Sequence, residues 1–102
     1  MSESLPGPYK IEKGAGVKEQ IEKIRSESRK AGKYLAFVEI MEKAIERLQD
    51  KPHEWGDPVH RAKTVDAIIR DGVIRPISFR YAVYEQAHAV VLLRVQQFAD
   101  FE

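Results

Sequence analysis

The sequence predicts an α+β domain: an N-terminal strand, a helical hairpin, then a three-stranded antiparallel meander packed on the helices. Three observations predict it. Apolar residues recur every three or four positions up to Leu48, then alternate every second position in the C-terminal half. A single glycine, Gly32, separates the two helical stretches. Asp71-Gly72, a strong two-residue hairpin signal, stands among the alternating residues. With 102 residues the chain is read as one domain, with residues 1–8 as a flexible start.

Each element has its own warrant. Residues 9–13 alternate and read as a short strand closed by Gly14-Ala15-Gly16. Residues 16–50 form the helical hairpin. Within it, Val17, Ile21, Ile24, Ser28 and Ala31 share one face of the first helix, residues 17–31. Gly32 sits where a helix stop belongs. The second helix, residues 33–50, carries a wide stripe of Tyr34, Phe37, Val38, Met41, Ala44, Ile45 and Leu48, with Leu35 and Ile40 beside it. Short joints make such helices antiparallel neighbours. Lys51-Pro52 stops the second helix, and Pro52 to Pro58 reads as a loop of turns.

The antiparallel sheet is predicted over residues 63–98. Thr64 to Arg70 alternates, with Val65, Ala67 and Ile69 on one side, and Asp71-Gly72 turns the chain. Val73 to Tyr84 returns, with Ile77, Phe79, Tyr81 and Val83 toward the core. That register needs a bulge at Arg75-Pro76, because proline cannot donate to the ladder. The last strand runs from about Ala89 to Gln97. A three-residue loop, Gln86 to His88, would turn Val91, Leu93 and Val95 inward and set Arg94 beside Arg80. A two- or four-residue loop would reverse this. The helices cover one sheet face, which leaves Ser78, Arg80 and Tyr84 on the other.

Composition excludes several classes. No apolar run approaches the roughly 18 residues of a membrane span. The polar start, Met1 to Pro8, has no signal-peptide pattern. Absence of cysteine removes disulfides, thiolate metal sites and thiol nucleophiles. With 17 Lys/Arg against 16 Asp/Glu, bulk charge gives no steering toward a polyanion. His53, His60 and His88 lack metal-ligand spacing, and no phosphate-binding glycine loop or nucleophile elbow occurs. No metal or cofactor is expected, and the compartment expected is the cytoplasm.

The order of elements resembles the RelE/ParE toxin superfamily over about Tyr9 to Phe98. The residues that carry the likeness are Leu48-Gln49-Asp50-Lys51-Pro52, Trp55-Gly56-Asp57-Pro58, Asp71-Gly72, the run Ile77 to Tyr84, and Val90 to Val95. The resemblance implies a toxin component of a bacterial toxin–antitoxin module. It implies an antitoxin-type helical partner, held in a groove, and gyrase or the ribosome with its mRNA as target. A homodimer is a further candidate assembly, and no membrane partner is expected. Any enzyme activity would be that of a RelE-type mRNA endoribonuclease. The arginine that commonly opens the family's penultimate strand falls on Ser78, and Arg80 shares its face. The usual basic end is replaced by Gln96 to Glu102. Ribonuclease activity is therefore expected to be weak or absent. The alternatives are an inert interaction protein on the same scaffold and a weak RNA-binding module.

The candidate catalytic residues are Arg80, Tyr84 and Arg94. The arginines would contact phosphate, and Tyr84 would transfer a proton or stack on a base. His60, Arg61 and Arg75 are the candidates for nucleic-acid or partner binding, the first two because loops carry function.

Overall fold

The computed structural model describes residues 7–62 and 66–101. Strand β1 spans Lys10–Lys13, helix α1 Val17–Lys30 and helix α2 Tyr34–Asp50. A short helix α3, Pro52–Trp55, leads into β2 (Asp57–Ala62), β3 (Ala67–Ile74), β4 (Ile77–Tyr84) and β5 (Ala89–Gln97). The five strands form one sheet of order β1-β5-β4-β3-β2. β2 to β5 make an antiparallel meander, and β1 joins β5 in parallel.

The helical hairpin forms as the periodicity predicts. Gly32, at φ 70°, donates its N–H to the Arg29 carbonyl, and Lys33 donates to Ser28 at 2.7 Å. This pairing satisfies the last carbonyls of α1 and needs a left-handed residue that glycine supplies. Val17, Ile21, Ile24 and Ser28 are buried on α1, and Phe37, Ile40, Ala44 and Leu48 on α2. Leu35 and Ile45, read as part of or beside the stripe, stay outside at 77% and 43% exposure. The core closes against Ile77, Phe79, Tyr81 and Val83 of β4 and Val90, Leu92 and Val95 of β5. The inward set on β4 is the predicted one.

The sheet differs from expectation in four places. First, it has five strands among the described residues: the predicted loop from Pro52 holds α3 and edge strand β2. Pro52 occupies the first turn of α3, where its missing N–H costs nothing. Pro58 is tolerated because β2 lies at a sheet edge. Second, Asp71-Gly72 is not a turn. β3 runs straight through both residues, and the hairpin closes at Arg75-Pro76 between paired Ile74 and Ile77. That peptide bond is cis.

Gly72 is kept in the strand by packing. A Cβ there would lie 2.6 Å from the Trp55 ring, so glycine gives the indole its seat against Phe79 and Tyr81. The register change turns Ile68, Arg70, Gly72 and Ile74 toward the helices, opposite Val83, Tyr81, Phe79 and Ile77. Ile69 is thereby moved off the core face. Of the predicted start of this strand, Thr64 and Val65 lie outside the described residues.

Third, the Arg75-Pro76 bulge is replaced by the turn itself. Fourth, the last hairpin has a four-residue turn, Glu85 to His88, pairing Tyr84 with Ala89. Val90 and Leu92 therefore face the core, and Val91 and Leu93 do not. A bulge at Leu93 then restores the expected phase: Arg80 pairs with Arg94, and Val95 points inward.

Candidate functional site

The uncovered sheet face carries a row of charge. Asp57 pairs with Asp71, Asp71 with Arg80 and Arg80 with Arg94 across four strands. Arg80 grips Asp71 with a full fork: Nε donates to Oδ1 at 2.8 Å and Nη2 to Oδ2 at 2.9 Å. The hydrogen bond from Arg80 holds the Asp71 carboxyl below the usual carboxylate range. Partial burial works against that shift, and the charges of Arg80 and Arg94 add to it. The same bond pushes the Arg80 guanidinium up. Arg94 is exposed and has no ion pair among the described residues.

The structure brings Arg80 and Arg94 together as cross-strand neighbours. Tyr84 shares their face but stands four residues along β4, about 13 Å at about 3.3 Å per residue. His60 lies on edge strand β2 in register with Ile69. Arg61, the next residue, pairs with Ile68 and points to the other face, where it meets Asp66 at 3.4 Å. Arg75 sits in the β3–β4 turn with its guanidinium 5.8 Å from the Phe98 ring centre. These six residues therefore do not form one site.

Arg94 also borders a groove of about 710 Å³ between α1 and the end of β5. Gln20, Lys23, Ile24 and Glu27 form one wall, and Val95 and Phe98 are on the other. β1 leaves β5 after Leu92, so among the described residues the β5 edge runs on without a strand beside it. The Gln20 Oε1 accepts the Val95 N–H at 2.7 Å and satisfies one group of that edge.

Sequence reasoning missed a second cluster, on the helix side of β3. Tyr81 is fully buried; its hydroxyl donates to the Pro52 carbonyl at 2.5 Å and accepts the Gly56 N–H at 2.9 Å. Burial pushes the Tyr81 phenol up. Arg70 Nη1 donates to the Gly56 carbonyl at 2.6 Å, while its buried Nε has no partner among the described residues. An unmet buried donor of this kind costs about 1–3 kcal/mol. Arg70 lines a cavity of about 150 Å³ with His53, Arg61, Asp66, Ile68, Val83 and Glu85. The signal for it was the alternation Ile68-Ile69-Arg70, readable only once the turn is moved to Arg75-Pro76.

One side of that cavity is braced from Tyr9, the residue just before β1. Tyr9 donates to Glu85 Oε1 at 2.5 Å and stacks on His88 with ring centres 3.8 Å apart. His53 Nδ1 lies 3.4 Å from Glu85 Oε2. Burial, then the hydrogen bond to Glu85, raises the Tyr9 phenol to about 12. Tyr9 is therefore held as a neutral donor and a structural tie. No group of three or more metal-ligating side chains occurs among the described residues. No helix there is long and apolar enough to cross a membrane.

Comparison with known proteins adds the fold's kinship. No family model matches the chain, and no curated protein matches it. Among solved structures, a chain of the RelBE2 toxin–antitoxin complex from Mycobacterium tuberculosis superposes with a TM-score of 0.69. The match covers 96% of this chain and 100% of that one, at 18% sequence identity. The likeness at this identity is one of fold, and the fold is the RelE-like arrangement that the order of elements predicts.

Proposed function

We propose that this chain is a RelE/ParE-like toxin component of a bacterial toxin–antitoxin module that acts by binding a partner macromolecule. The observation that carries this reading is the full-length likeness to a chain of the RelBE2 complex. An antitoxin-type helix is the partner, and the groove between α1 and β5 is its seat. The groove is lined by the apolar Ile24, Val95 and Phe98 and by charges of both signs, Lys23 and Arg94 with Glu27 and Asp100, which suits an amphipathic helix.

The row on the open face supports weak or absent ribonuclease activity. Arg80 already spends its fork on Asp71. A phosphate would have to displace that carboxylate before Arg80 could stabilise developing charge. Tyr84 stands too far along β4 to exchange a proton at the same phosphate. Any residual cleavage would use Arg80 and Arg94. A gyrase-type target suits the segment Gln96 to Glu102, which lacks the family's usual basic residues, better than the ribosome and its mRNA do.

The Asp71–Arg80 lock also favours a second reading, an inert interaction protein on the same scaffold. Induction of the chain alone in a bacterial host, with colony counts over time, separates the two. Loss of colonies, relieved by co-expressing the neighbouring gene, is the expected result. Supercoiling and translation assays then identify the target. Unimpaired growth with folded protein would leave the inert reading in place.

A further inference from the structure

We propose that the small cavity around Arg70 is a binding site for an oxyanion, a phosphate or a carboxylate. The proposal is independent of the toxin reading. Arg70 and Arg80 offer an internal comparison. Arg80 holds a carboxylate with the edge formed by Nε and Nη2. Arg70 is anchored through Nη1 to the Gly56 carbonyl, which leaves its own Nε–Nη2 edge without a carboxylate. That edge matches a pair of anionic oxygens in spacing and direction.

The surroundings fit such a ligand. Arg61 lines the same cavity, so two guanidinium side chains, from β2 and β3, converge on it, and His53 of α3 stands on its wall with its ring nitrogens engaged by Tyr9 and Glu85. Its volume, about 150 Å³, is that of a few water molecules at about 30 Å³ each, which suits a small anionic group. Two carboxylates share the lining, and both are occupied: Asp66 with Arg61 at 3.4 Å, and Glu85 with Tyr9 and His53. The Arg61–Asp66 contact is exposed, so an incoming anion competes for Arg61 with little loss. Nε is buried, so ligand entry requires a small swing of the Arg70 side chain, which exchanges an unmet donor for a bonded one.

The test is an NMR titration of the arginine Nε–H signals of the full chain, with inorganic phosphate in one arm and acetate in the other. The Arg70 signal should shift saturably in at least one arm, and the stronger arm identifies the source of the oxyanion. Arg61→Gln should weaken binding several-fold, while Arg80→Gln, on the opposite sheet face, should leave it unchanged. Arg70→Lys keeps the charge and loses the fork, so it should weaken binding tenfold or more if folded. A linear, non-saturating response in both arms overturns the proposal. So does a saturable response that Arg80→Gln abolishes and Arg61→Gln leaves intact.

Discussion

Arg70 and Arg80 stand on adjacent strands, yet they live in opposite environments. Arg80 lies on the uncovered face, bonded through its whole fork to Asp71. Arg70 faces the helices, tied by one nitrogen to a backbone carbonyl, with Nε buried and unmet. The difference is one of strand parity. Asp71 is one residue beyond Arg70, so it faces the other way and serves Arg80. A charged pair at the surface keeps much of its hydration, whereas the inner arginine depends on the few acceptors that α3 provides.

The largest effect should come from breaking the inner region. Tyr81→Phe removes the hydroxyl that joins Pro52 and Gly56 and leaves a buried carbonyl and N–H unmet. It should destabilise the fold by about 2–4 kcal/mol in urea unfolding. A loss under about 0.5 kcal/mol would show that α3 is held by other contacts.

Gly72→Ala follows. Its Cβ would meet the Trp55 ring at 2.6 Å and push the indole off Phe79 and Tyr81. A loss of about 1–3 kcal/mol is expected, with a change in tryptophan fluorescence. Were Asp71-Gly72 a turn, alanine there would leave Trp55 undisturbed.

The N-terminal tie gives a pH effect. The Tyr9 phenol is raised to about 12 from its ordinary value near 10, so the folded state holds the proton more tightly. Its contribution is fully present below about pH 10 and is lost as pH rises through about 12. Tyr9→Phe should flatten the stability profile in that window. An ultraviolet titration with every tyrosine ionising near pH 10 would contradict the tie.

The smallest effect belongs to the outer region. Asp71 titrates below its ordinary value, so its pairing stabilises the fold above the unfolded carboxyl value, about 3.9. That contribution disappears as pH falls through the lowered folded value. Asp71→Asn should therefore approach wild-type stability only in acid, and the difference at neutral pH should shrink with added salt. The same variant frees Arg80, so a rise in RNA binding would sharpen the contrast between a locked and an available arginine.

Much of the fold was legible before folding. The helical hairpin follows from periodicity and Gly32, and the inward set Ile77, Phe79, Tyr81 and Val83 follows from alternation. Arg80 beside Arg94 was also readable, although by a compensating route: the four-residue turn reversed the phase, and the bulge at Leu93 restored it. Edge strand β2 was hidden because Pro58 and Gly56 carry turn chemistry in any local reading. Asp71-Gly72 misled for the same reason. Its glycine answers to an indole that arrives from 17 residues earlier in the chain.

The sequence by itself determined the class of fold, the two helices, the core face of β4 and an uncovered sheet face bearing arginines. These depend on local period, and neighbouring residues suffice to set it. Tertiary structure alone decided where the sheet turns and so which arginine faces which side. A one-residue change of register reverses every side chain on a strand, and long-range packing of Trp55 on Gly72 selects between the two. The charge row and the Arg70 cavity exist because of that selection.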